Sequence, residues 1–149
     1  MNEKAVLLSI QPKWCGLITL GKKTIEVRKT RPSIETPFLC YIYECGNNGR
    51  KKIVGEFVCD KITEIYNCCD VHNELPSRPC EYYLDWDDDY DIPTMACLSY
   101  KELGDCVGAD DVGFVWHFSN LKIYAQPKSL SEFRLTRPPT SWCYVEVIE

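Results

Sequence analysis

The sequence predicts an α+β fold: a mostly antiparallel sheet, a small β-barrel or a curled sheet, with a helix between its first two strands and a few short helices elsewhere. Three observations predict it. A nearly continuous apolar run, Ala5–Ile10, leads into a helix-like stretch and then into the alternating segment Thr24–Arg28. Two β-rich runs flank the turn residues Gly46-Asn47-Asn48-Gly49. A later set of β-rich runs begins near Val112 and closes on Trp142–Val147. A chain of 149 residues suits one domain, 1–149, with an adequate core. Hydrophobic content of 45% with 12% aromatics excludes a disordered chain, which cannot bury enough apolar surface to offset its ordering entropy.

Each element has a local cause. Ala5–Ile10 is short and apolar on both alternations, as a buried strand is. Pro12 opens a helix at the first turn, where its missing N–H costs nothing. Trp14, Leu17, Ile18 and Leu20 give that helix its apolar stripe. Gly21 ends it, because glycine takes the left-handed conformation cheaply. Residues 24–29 form a strand, and 30–37 a loop punctuated by Pro32 and Pro37. Phe38–Cys45 and Ile53–Ile65 read as an antiparallel hairpin, the second run as one long or two broken strands. Gly55 within it marks a bulge or a close backbone approach. Residues 67–111 are an acidic, insertion-like segment. There, 81–86 suggests a short helical turn, and a helix runs from Pro93 to Gly104 or Gly108. Strand resumes from Val112 to Tyr124. Ser129, with Glu132 three positions on, forms a capping box for a short helix.

The chemistry concentrates in Gly21-Lys22-Lys23-Thr24-Ile25-Glu26-Val27-Arg28. Strand alternation puts Thr24, Glu26 and Arg28 on one face and Ile25 and Val27 on the core face. Lys23 stands at the loop–strand junction. An ammonium, a carboxylate and a guanidinium at the mouth of a strand can recognise a polar, planar or anionic ligand. A solvated, charge-balanced strand is the plainer reading. Net charge sharpens the choice. Residues 1–61 carry 11 Lys and Arg against 6 Asp and Glu, and residues 62–111 carry 2 against 13. The acidic middle opposes long duplex contacts and favours a small or single-stranded ligand.

The wider string carries a resemblance. Leu8-Ser9-Ile10-Gln11-Pro12, a helix, then Gly21, Lys23, Glu26 and Arg28 in the pattern G-x-K-x-x-E-x-R, then Lys29-Thr30-Arg31-Pro32, resembles the ASCH domain family of the PUA-like superfamily. Ile53–Phe57 is similar to that family's second core strand. The resemblance covers about residues 5–66 well and 112–149 more loosely. It implies a PUA-like fold with a cleft beside the barrel that takes RNA, a nucleotide or a nucleoside. Lys23 and Arg28 would hold phosphate or a base edge there, and Glu26 would accept from an exocyclic amine. Trp14 and Trp142 would offer stacking faces, with Ser9 a contact at the strand's end and Arg31 at the rim. Related small enzymes hydrolyse N4-acetylcytidine with a lysine at the Lys23 position, a threonine where this chain has Glu26, and a distant glutamate. The alternative function is therefore an amidohydrolase on a modified nucleoside, with Lys23 and Glu26 as a lysine–carboxylate acid/base pair. The missing hydroxyl removes the family's nucleophilic route. Thr24 does not replace it, since alternation turns it away from Lys23. A third reading, an acidic protein-interaction adaptor, rests on residues 81–91.

Other constellations point elsewhere. Cys68-Cys69-x-x-His72 with Cys80 has zinc-ligand types but lacks zinc spacing, so no metal and no cofactor are expected. His117 lies in an apolar strand and reads as a satisfied core histidine. Asp87-Asp88-Asp89-Tyr90-Asp91 lacks the glycine and closing glutamate of a calcium loop. The 10 cysteines read as free, small hydrophobes in a reducing compartment. No apolar run approaches the roughly 20 residues a membrane span needs. The opening Met1-Asn2-Glu3-Lys4 has no secretory apolar core, so a cytoplasmic location is expected.

Overall fold

The structure, a computed structural model, describes residues 3–67, 84–87, 89–108 and 111–148. The apolar opening run becomes β1 (Lys4–Ile10), buried along all but its first residue. Its neighbours explain that pattern. It pairs in parallel with β3 (Phe38–Glu44) and antiparallel with β7 (Trp142–Glu146). Between β1 and β2 (Ile25–Arg28) lies α1 (Pro12–Thr19), with Pro12 in its first turn. Gly21, at φ 74°, follows the C-cap Leu20. Its N–H donates to Ile18 O and that of Lys22 to Leu17 O, the paired bonds of a Schellman stop. Leu20 is not part of the buried stripe. It is 70% exposed, because the helix ends one residue before it.

The second run after the turn is one unbroken strand, β4 (Ile53–Asn67), antiparallel to β3. Both roles expected of Gly55 hold. The β3–β4 register shifts beside it, between Ile42 and Tyr43. A Cβ on Gly55 would stand 2.6 Å from the Lys122 carbonyl oxygen. Of the helical turn expected over 81–86, residues 81–83 lie outside the described residues, and Leu84–Asp85 is a two-residue strand, β5, on the end of β4. The expected helix after Pro93 is two helices, α2 (Ile92–Ala96) and α3 (Tyr100–Val107). Cys97 takes a left-handed conformation after α2, and Ser99 opens α3 with a capping box to Glu102. The strand from Val112 runs on to Lys128 as β6. Glu132 accepts from the Ser129 N–H at 2.8 Å, capping a 3-10 helix (Leu130–Phe133) as the sequence predicts.

The strand order is β2-β6-β4-β3-β1-β7, with β5 attached to β4. The sheet is mixed, mostly antiparallel and open, which corrects the expected barrel. Closure needs strand length, tilt and stagger to match around a ring. Here β2 has only four residues, and α2 and α3 pack on it.

Two compact units divide the chain. The first takes Met1–Lys22, Pro32–Lys61 and Phe118–Glu149. Its core joins Ala5, Leu7, Tyr41, Ile53, Phe133 and Val145, with Tyr41 and Phe133 edge to face at 4.6 Å. The second takes Lys23–Arg31 and Ile62–His117. Ile25 and Val27 of β2 pack there with Ile65, Val115, and Ile92, Leu103 and Val107 of the two helices. The acidic segment thus supplies apolar cover for the charged strand's inner face. No helix among the described residues is long and apolar enough to cross a membrane.

Candidate functional site

β2 starts one residue later than expected, at Ile25, and Thr24 precedes it. The Thr24 N–H donates to Met95 O at 2.9 Å, which ties the strand's entrance to α2. Lys23 follows the same path. Its Nζ donates to the Ala96 carbonyl at 2.8 Å and stands 3.5 Å from Glu26 Oε1. The Ala96 oxygen belongs to the last turn of α2, where carbonyls lack intrahelical partners and favour a cation. Lys23 is only 2% exposed.

Glu26 sits at the centre. Arg28 Nη2 donates to Glu26 Oε2 at 3.3 Å, and the Val27 N–H donates to Oε1 at 3.1 Å. One oxygen therefore faces Lys23 and the other Arg28. Side-chain exposure is 1% for Lys23, 11% for Glu26 and 17% for Arg28. The cluster grades outward from a buried ammonium to a partly open guanidinium.

Cys106 of α3, which the sequence places only in the apolar pattern of the helix after Pro93, belongs to this neighbourhood. Burial pushes its thiol above the ordinary 9.0, and the Glu26 charge raises it further. Lys23 and Arg28 pull it the other way. The result is a protonated thiol at neutral pH beside the ion cluster. Its helical position, one before the core residue Val107, is the only signal the sequence offered.

The structure brings Lys23, Glu26 and Arg28 together. Arg31, in the same unit, is exposed. Ser9, Trp14 and Trp142 belong to the other unit. Ser9 Oγ donates to Pro139 O at 2.6 Å and its N–H to Ser141 O at 2.9 Å. It fastens the end of β1 to the loop before β7. Trp14 is half-buried on α1 with the Lys13 ammonium 4.6 Å from its ring centre. Trp142 is half-buried and meets Tyr144 edge to face at 5.3 Å.

His117 behaves as a core histidine. It is 7% exposed, its Nε2 lies 2.9 Å from Thr63 Oγ1, and the Tyr90 ring packs at 4.7 Å. Cys68, Cys69, His72 and Cys80 lie outside the described residues, as does Asp88. Asp87 and Asp89 are exposed. Among the described residues no cluster of three or more His, Cys, Asp or Glu could hold a metal ion.

Comparison with known proteins agrees with this architecture. The profile of the ASCH domain matches residues 8–113. Solved structures of similar fold include ASCH from Zymomonas mobilis, at 20% identity and TM-score 0.68, covering 96% of this chain and 88% of that one. A serine-to-alanine variant of the same bacterial protein matches at 20% identity and TM-score 0.66, covering 95% and 88%. A tyrosine-to-phenylalanine variant matches at 20% identity and TM-score 0.65, covering 94% and 88%. No curated protein matches the chain. With its mixed sheet, inserted helix and charged second strand, the chain belongs to the ASCH domain family.

Proposed function

We propose that the chain recognises a nucleotide-like ligand, as a free nucleotide or within single-stranded RNA, through Glu26 and Arg28. The observation that carries this is the graded cluster: Glu26 held between Lys23 and Arg28, with the ammonium buried and the carboxylate and guanidinium partly exposed. Such a pair offers an acceptor and a forked donor side by side, the complement of a base edge carrying an exocyclic amine or of a phosphate beside it. Lys23 then acts as a positioning group. Its ammonium fixes Glu26 and holds the end of α2 over the strand. Arg31 extends the positive edge outward. The surrounding unit carries 6 Lys and Arg against 14 Asp and Glu, so the site suits a short ligand.

The test is anisotropy of a short labelled single-stranded RNA, titrated at several salt concentrations. Arg28→Ala is expected to weaken binding and flatten the salt dependence by about 0.7 log units per log unit, the share of one phosphate on a single strand. An unchanged affinity and slope would remove Arg28 from the site.

The amidohydrolase alternative keeps its acid/base pair within reach, 3.5 Å apart. It requires substrate to reach an ammonium that is 2% exposed and committed to a carbonyl. Release of cytidine from N4-acetylcytidine by the wild type, lost in Lys23→Arg, would establish it over the binding reading.

A further inference from the structure

The first unit carries a second concentration of chemistry, on the part of β6 that belongs to it. A groove of about 510 Å³ is lined there by Tyr41, Glu56, Lys122, Tyr124, Lys128 and Ile148, among others. Lys122, Tyr124 and Lys128 are separated by even intervals and share one face of the strand. Fully extended, six residues of strand span about 20 Å. Yet both ammoniums converge on one ring, 5.9 Å (Lys122) and 5.4 Å (Lys128) from the centre of Tyr124.

The ring is anchored. Tyr124 donates its O–H to Glu56 at 2.7 Å. Burial and the Glu56 carboxylate raise the phenol far above its ordinary 10.0, so it stays a neutral donor and adds no negative charge. Tyr41, which lines the same groove, accepts from the Ile148 N–H at 2.9 Å. The two lysines have no carboxylate within ion-pair distance among the described residues. Glu56, which lines the same groove, accepts from the Tyr124 hydroxyl. Two ammoniums therefore flank one fixed aromatic ring, in a groove that the Glu56 carboxylate also lines. The unit around them carries 11 Lys and Arg against 8 Asp and Glu, the reverse of the acidic unit that holds Glu26.

We infer that this groove binds a phosphate group, with the Lys122 and Lys128 ammoniums on its oxygens and the edge of the Tyr124 ring beside the attached sugar or base. Each ammonium has three donors and no preferred plane. Two of them suit the several outward oxygens of a phosphate better than the two coplanar oxygens of a carboxylate. An anion held by both ammoniums offsets their mutual repulsion. The phosphate comes from a free nucleotide or from the backbone of a single strand. The inference stands apart from the Glu26–Arg28 reading, because it uses other residues in the other unit.

The experiment compares the wild-type chain, the double variant Lys122→Gln/Lys128→Gln and Arg28→Ala. Two probes are used, AMP by calorimetry and a short labelled oligouridylate by anisotropy, with adenosine as the phosphate-free control. Far-UV circular dichroism checks that each variant is folded, as expected for lysines without ion pairs. A backbone source predicts that the double variant binds oligouridylate about tenfold more weakly, with a salt slope flatter by about 1.4, two phosphates at about 0.7 each. A free-nucleotide source predicts saturable AMP binding that the double variant loses and adenosine does not reproduce. The inference is overturned if both probes behave alike with the wild type and the double variant, whether both bind or neither does. Loss confined to Arg28→Ala would leave the Glu26–Arg28 reading standing and remove the groove. Loss confined to the double variant would do the reverse.

Discussion

Lys23 is where burial and charge meet. Its ammonium is nearly inaccessible, and its partners are the Ala96 carbonyl and Glu26. Removing one partner of a buried pair leaves the other charge without compensation and costs about 3–5 kcal/mol. Glu26 keeps Arg28 and a little solvent, so the lower end applies. Lys23→Met is expected to lose about 3 kcal/mol in urea denaturation, while Arg28→Ala, on the open side, loses under about 1 kcal/mol. Equal losses would mean that the cluster is not graded from inside to outside. The residues of this cluster were legible in the sequence, since alternation alone puts Glu26 and Arg28 on one face. Ala96 and Cys106 were not. Nothing local connects residues so far apart in the chain, and a carbonyl acceptor has no sequence signature.

At the scale of elements, the tip of the β3–β4 hairpin is held by charge. Glu44 is buried, which opposes its ionisation, but Arg50 donates to it from Nε at 2.9 Å and from its backbone N–H at 2.8 Å. These bonds and the Arg50 charge outweigh burial and hold the carboxyl below the ordinary 4.5. A carboxyl with a depressed folded pKa contributes stability that is fully present above its unfolded value. That contribution fades as pH falls through the lower folded value. The urea midpoint is therefore expected to fall on acidification below about pH 4.5, and Arg50→Ala to make it less sensitive over that window. Equal acid sensitivity in both proteins would separate Glu44 from the effect. Capping was legible where its residues stood alone, as with Ser129 and Glu132. The Ser99 cap was hidden inside a pattern that read as one helix, because the left-handed turn at Cys97 uses a residue without the usual preference for that conformation. Leu84–Asp85 was read as helical because two residues of strand carry no periodicity.

Over the whole molecule, the units interleave along the chain. β4 and β6 each run without interruption from residues of one unit into residues of the other. We propose that 1–149 is a single domain, and a single unfolding transition is expected. Trp14→Phe/Trp142→Phe leaves Trp86 and Trp116 to report the second unit, and the converse variant reports the first. Coincident urea transitions would mark one cooperative domain, whereas separated midpoints would mark two. The α+β class and most strands were legible because burial and alternation are local. Openness of the sheet was not, since closure depends on lengths and stagger around a whole ring. The acidic segment looked like a solvated insertion by its charge, yet Ile92, Leu103 and Val107 within it are buried. Charge counts outweighed a sparse apolar pattern.

The pairing of β1 with β7 has a consequence during synthesis. Lys4 lies opposite Glu146 and Leu8 opposite Trp142, so the earliest strand waits for the latest one. At roughly 5–20 residues per second, a ribosome needs about 7 to 26 seconds to make what separates them. Through that interval Ala5–Ile10, an apolar segment without a charge, has one edge unclaimed. Growing chains held close together on one message would then present the same uncovered strand to one another. That makes the yield of folded protein sensitive to how quickly the last strand emerges.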